Sequence, residues 1–202
     1  MYFLILGFFT GLSLILAIGA QNIFVMEQGL KKQYIFLVCL ICSVSDLILI
    51  FLGIFLFEYF RVFFTKNVEL IFNILLFIFL VHFIYNKIRS LYKTSEINFQ
   101  NNKLSTKNII FKTFGFTYLN PHVYSDTIFF LGNFSKNFLT QEKFLFGMGA
   151  GTSSFLFFFV IGYLSNYLSN FLKNQEVWKK INYLIIIFMF SLSLYVLKNI
   201  FF

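Results

Sequence analysis

The chain has 202 residues, 59% of them hydrophobic and only 12% charged, with a mean hydropathy of +0.81. A soluble domain of this length turns much of its surface to water and carries about a quarter charged residues, so the composition excludes an ordinary soluble enzyme, a nucleic-acid module and a disordered chain. The formal net charge of +8 then reports how basic loops are placed about a membrane, not a nucleic-acid partner.

Residues 1–26 carry no charge. They lack a basic n-region, outrun the apolar core of a signal peptide and hold Gln21 and Asn22, so a retained first transmembrane helix is expected. Residues 33–57 follow with Asp46 as their only charge, and 70–86 are free of Lys, Arg, Asp and Glu. Residues 113–135 contain only Asp126, 144–172 no charge, and 181–197 none, with apolar character continuing to Phe202. Each run is near the roughly 20 apolar residues that cross a bilayer. The expected fold is an all-α membrane protein of six transmembrane helices in one domain, 1–202. A five-span chain with one re-entrant segment is the competing topology, the third and sixth runs being the weakest.

The loops after the first, third and fifth runs carry ten basic residues: Lys31 and Lys32; Lys87, Arg89, Lys93, Lys103 and Lys107; Lys173, Lys179 and Lys180. Five lie on the opposite side, at Arg61, Lys66, Lys136 and Lys143, with Lys198 near the C-terminus. Basic loops stay in the cytoplasm, which puts both termini outside. A polar linker at about 94–108 separates a first half, about 1–93, from a second, about 109–202. Three helices per half would insert the second half upside down, the inverted repeat of many transporters. Asn22 and Asn120 stand 98 positions apart, near half the chain length.

An ionisable side chain deep in a bilayer is costly unless paired or hydrated. Asp46 and Asp126 are the two acidic residues deep within apolar runs. Glu27 and the other glutamates are expected at helix ends in reach of water, and no Lys or Arg is expected deep enough to pair internally. Two such carboxylates call for a cation: a proton, a metal ion or a cationic solute. Asn120-Pro121-His122 holds the only proline. Within a helix it would free the Thr117 carbonyl, and His122 and Asp126, four apart, would share a face. Gly19-Ala20-Gln21-Asn22 combines close backbone approach with two amides, so Gly19 is a second candidate helix break. Cys39 and Cys42 form a Cys-x-x-Cys inside the second run. Buried packing is the plain reading, with thiol exchange or metal binding as alternatives. His82 reads as structural, and Gly7 and Gly11 as a packing face. The 34 phenylalanines are spread evenly and read as codon bias. No phosphate-binding loop, zinc-protease or lipase motif is present, and no catalytic residue, metal site or cofactor is expected.

The block from Ala17 to Met26, Ala-Ile-Gly-Ala-Gln-Asn-Ile-Phe-Val-Met, followed by Gln28-Gly29-Leu30, resembles the first signature of the LysE family of amino-acid exporters. Ser45-Asp46 with Gly53 is similar to its next block. Leu119-Asn120-Pro121-His122-Val123-Tyr124-Ser125-Asp126-Thr127, then Leu131-Gly132, resembles its basic amino-acid branch. Ala20 and Ser125 depart from the usual pattern, and Ala20 blurs arginine against lysine. The resemblance implies gradient-driven export of arginine or lysine from the bacterial cytoplasm through the inner membrane. Asp46, Asp126, Gln21, Asn22, Asn120 and His122 would handle substrate and proton beside breaks at Gly19 and Pro121. The partners implied are a basic amino acid and membrane lipid, with a homo-oligomer left open.

Overall fold

The computed structural model describes residues 1–16, 19–63, 65–93, 105–169 and 175–201. Ala17 and Ile18 of the first signature, residues 94–104 of the expected linker and Lys173 lie outside them. The described elements are α1 (Tyr2–Ile15), α2 (Ala20–Lys31), α3 (Ile35–Phe63), α4 (Lys66–Lys93), α5 (Thr106–Tyr118), α6 (Pro121–Tyr124), a π-helical turn (Ser125–Phe130), α7 (Leu131–Ser135), α8 (Thr140–Ser169) and α9 (Gln175–Phe201). Among the described residues four helices are long and apolar enough to cross a membrane: Ile35–Phe57, Lys66–Arg89, Thr140–Ser169 and Lys180–Lys198. A fifth span arises if α1 and α2, bent by 82°, count as one. The chain is thus a multi-pass helical membrane protein with four to five candidate spans.

The third and sixth runs, weakest in sequence, are continuous helices of 28 and 27 residues. The first and fourth runs are divided into separate helices, and α3 carries a kink at Leu56, φ −117° and ψ 18°, near the end of the second run. Gly19 caps α2 in an extended conformation, φ −115° and ψ 179°. Across that break Asn22 Nδ2 donates to the Ile15 carbonyl at 3.0 Å, serving a group that the end of α1 leaves without a helical partner. At the second break Asn120 caps α6, its Oδ1 accepting from His122 N at 3.1 Å. Pro121 takes the first helical position, where its missing N–H and fixed φ carry no penalty. It therefore starts a new helix instead of kinking a continuous one, which corrects the expected mid-helix proline. The chain end of α5 is tied down by Tyr124, whose hydroxyl donates to the Tyr118 carbonyl at 2.7 Å.

The outer surface is apolar, with side chains such as Phe111, Ile187 and Ile78 well exposed, as lipid-facing helices require. Helices in lipid gain little from hydrophobic burial against one another, so small residues set their close contacts. Gly7 and Gly11 lie against Phe146, Ala150 and Ser153 of α8, which gives that expected packing face its partner. Gly29 lies against Gly162, and Gly132 against the Gly53 carbonyl. Helix α8 packs on α1, α2 and α3, while α3 also holds α5, the π turn and α7. The long helices α4 and α9 pack chiefly on each other, and their backbones touch the other elements sparingly. They form a two-helix wall beside the larger bundle.

Candidate functional site

A cavity of about 340 Å³ lies between that wall and the bundle. Gly19, Ala20, Gln21 and Asn22 reach it from the start of α2, Asp46 from α3, Asn120 from the second break, and His122 and Asp126 from the segment after it. Leu76 and Leu80 of α4 and Leu192, Tyr195 and Val196 of α9 close the far side. Every site residue nominated from sequence lines it except Pro121, which sets the backbone between Asn120 and His122. Residues 19–22, 46 and 120–126 are far apart in the chain, and the two helix breaks bring them to one place.

Local chemistry explains each placement. Asp46 is buried in the middle of α3, and its Oδ2 accepts from Ser154 Oγ of α8 at 2.9 Å. Its Oδ1 is buried without a hydrogen-bond partner, as is Gln21 Nε2. Asp126 sits in the π turn. Wide turns of this kind re-aim side chains and recur at functional sites. The turn is braced by Thr127, whose hydroxyl donates to the Val123 carbonyl at 2.6 Å. His122 stacks on Tyr195 of the wall, ring centroids 5.6 Å apart. The first turn of α2 adjoins the cavity, so backbone N–H groups and the positive end of a helix dipole are available to an anionic group.

Sequence reasoning missed Ser154 and Tyr195. The stretch Gly149-Ala150-Gly151-Thr152-Ser153-Ser154, small and polar within the uncharged run 144–172, was the available signal for the first. Nothing marked Tyr195 among eleven tyrosines. Two expectations about charge are corrected. Glu27 is buried, and Lys87, also buried, meets its Oε1 at 2.7 Å. Both lie at ends of apolar runs that fold inward against each other. Cys39 and Cys42 are buried outside the cavity lining, and Cys39 Sγ donates to the Phe158 carbonyl at 3.2 Å. His82 pairs with Asn86 at 2.8 Å on an exposed face.

Interrupted helices ending at a carboxylate-bearing cavity, within a membrane bundle, are the construction of a secondary transporter, and that is the class of protein these elements define. The sequence profile of LysE type translocators matches residues 12–199, and the chain belongs to that family; it is a transporter and not an enzyme. It is 30% identical to an arginine exporter protein ArgO of Pectobacterium carotovorum, over 96% of this chain and 95% of that one. The ArgO of Salmonella typhimurium is 30% identical over 93% of this chain and 89% of its own length. That of Serratia proteamaculans is 29% identical over 93% and 92%. No solved structure matches the chain.

Proposed function

We propose that the protein exports basic amino acids, arginine foremost and lysine next, across the bacterial inner membrane. The observation that carries this reading is the sharing of one cavity by Asp46 and Asp126, while no Lys or Arg stands among the described residues lining it. A site with two carboxylates and no built-in counter-ion suits a cationic solute. Its volume falls at the small end of ligand sites, as a single amino acid needs. Asp46 receives the guanidinium or ammonium group through Oδ1, the oxygen that Ser154 leaves open. Gln21 and the first turn of α2 hold the amino-acid end, its carboxylate lying at the helix N-terminus. Asn22 and Asn120 hold the two breaks open and present the cavity backbone. The arginine exporters among the relatives support the choice of substrate.

Proton influx supplies the drive. Asp126, with His122 nearby on the same segment, exchanges a proton with the outside, and its neutral form favours return of the empty carrier. The two halves form an inverted 3+3 repeat crossing the membrane six times. Exchange of halves turns the packing of α1 and α2 on α8 into that of α5 to α7 on α3, and pairs α4 with α9. A thiol carrier or metal exporter would need Cys39 and Cys42 at the cavity, and their position disfavours both.

Counterflow in proteoliposomes tests the reading. Labelled arginine should exchange against internal arginine and lysine but not threonine, and net export should quicken when the outside is acidified. A wild-type protein that exchanges threonine as fast as arginine would overturn it.

A further inference from the structure

One end of the cavity is closed by two layers that the transport site does not use. Three helices run away from the cavity in the same order of residues. On α2 the order is Asn22, Phe24, Glu27; on α4 it is Leu80, Phe83, Lys87; on α5, read backwards from the break, it is Asn120, Phe116, Lys112. At a rise of about 1.5 Å per residue the charged groups stand roughly 7 to 12 Å beyond the cavity along each helix.

The middle layer is aromatic. Phe116 is fully buried, and the rings of Phe24, Phe79 and Phe83 surround it at centroid distances of 4.8, 4.8 and 5.0 Å. The outer layer is ionic. Glu27 Oε1 meets Lys31 Nζ at 2.5 Å and Lys87 Nζ at 2.7 Å. Lys87 and Lys112 both stand over the Phe83 ring, at 5.5 and 5.7 Å from its centroid. Lys31 shares α2 with Glu27, so among the described residues Lys87 carries the ion pair across to another helix. The backbones of α2 and α4 hardly touch. The ion pair and the phenylalanines therefore join the α4–α9 wall to the bundle at this end.

We propose that Glu27 and Lys87, with the Phe24–Phe83–Phe116 plug beneath them, are the gate of the cavity at its basic end. The inference rests on the reading of the cavity as a transport site. With the pair formed, the wall is held against α2 and the aromatic layer seals the cavity. With it broken, α4 and α9 swing as a unit, Phe83 leaves Phe116, and the cavity opens toward Lys31. A buried pair suits this role because it is close to balanced when made. Removing either member cuts the tie between α2 and α4, so the closed state is sensitive to single changes at these two positions.

Thiol accessibility tests the gate without reference to the solute. Leu80→Cys places a reporter on the cavity wall of a Cys39→Ala/Cys42→Ala protein. A membrane-impermeant thiol reagent is applied to reconstituted vesicles from each side in turn. Glu27→Gln and Lys87→Met should each raise the labelling rate about tenfold or more from the Lys31 side only, since each removes the ion pair that ties α4 to α2. The charge-swapped Glu27→Lys/Lys87→Glu protein should return the rate to that of the parent. Unchanged labelling in both single variants would overturn the gate, as would equal acceleration from both sides or a swap that labels like the singles. Size-exclusion profiles identify any variant that fails to fold, and the remaining single variant then decides. If labelling is unchanged while wild-type arginine counterflow is intact, the gate alone fails. If labelling responds but wild-type protein does not exchange arginine, the substrate assignment alone fails.

Discussion

Asp46 has one carboxylate oxygen hydrogen-bonded and one buried without a hydrogen bond. Ser154 holds Oδ2, fixing the carboxylate's direction, while Oδ1 is the oxygen that the proposed function assigns to the solute. Asp46→Asn keeps the shape but removes the charge that a guanidinium needs for its strongest hydrogen bonds. It should abolish arginine counterflow while the protein still inserts and purifies. Ser154→Ala should leave transport measurable and raise KM for arginine about ten- to a hundredfold, because a hydrogen bond to a charged group is worth roughly 1.5–3 kcal/mol. Wild-type counterflow in Asp46→Asn would remove Asp46 from the site. The place of both aspartates at an internal cavity was legible in the sequence because a lone carboxylate in an uncharged run is too costly to face lipid. Glu27 and Lys87 were not. Each stands near the end of its run and looks solvated, and only the fold shows that the two ends meet.

At the scale of elements, the two broken segments carry the site, and small residues decide how closely they approach. A Cβ at Gly53 would lie 2.5 Å from Ile128 Cα and 2.6 Å from the Thr127 carbonyl, both backbone atoms of the π turn that bears Asp126. At Gly19 the nearest atom would be Asn120 Nδ2, at 3.9 Å, and the backbone there is extended. Gly53→Ala should therefore displace the π turn, lowering the melting temperature through overpacking of about 1–3 kcal/mol and reducing transport sharply. Gly19→Ala meets no close atom and should cost less in both assays, only the roughly 0.5 kcal/mol by which Gly is favoured over Ala at an N-cap. Equal effects at the two positions would contradict the packing described. The second break is held by a cap more than by its proline. Asn120→Ala should cost about 1 kcal/mol of stability, the usual worth of an N-cap, and most of the transport. Pro121→Ala keeps the cap and should lose only a few-fold in rate, whereas a break made by proline alone would give the reverse order. The breaks were legible because Gly and Asn-Pro punctuate helices. The 82° bend between α1 and α2 was not, since no local signal encodes the angle at which a helix restarts.

Across the whole molecule, the two halves cover each other's interfaces. Helices α1 and α2 of the first half lie on α8 of the second, α5 to α7 of the second lie on α3 of the first, and α4 pairs with α9. The long helices were visible as apolar runs, but their partners were not. In lipid the outer and inner faces of a helix are both apolar, so the amphipathic pattern that assigns a buried face in water is absent. The glycines that mark the contacts, such as Gly29 against Gly162, are too few to fix pairing by themselves. The mutual coverage has a direct consequence. Either half alone exposes the packing faces of α3 or α8, glycines and buried serines included, to lipid that cannot match their shape or hydrogen bonds. A chain divided within the polar stretch 94–104 cuts none of these contacts. Residues 1–93 and 105–202, produced together in one cell, should assemble, co-purify through a tag on either piece, and restore arginine counterflow. Each piece alone should be degraded or retained at low level. Stable accumulation of one half by itself would show that the contacts within a half, not those between halves, hold the bundle together.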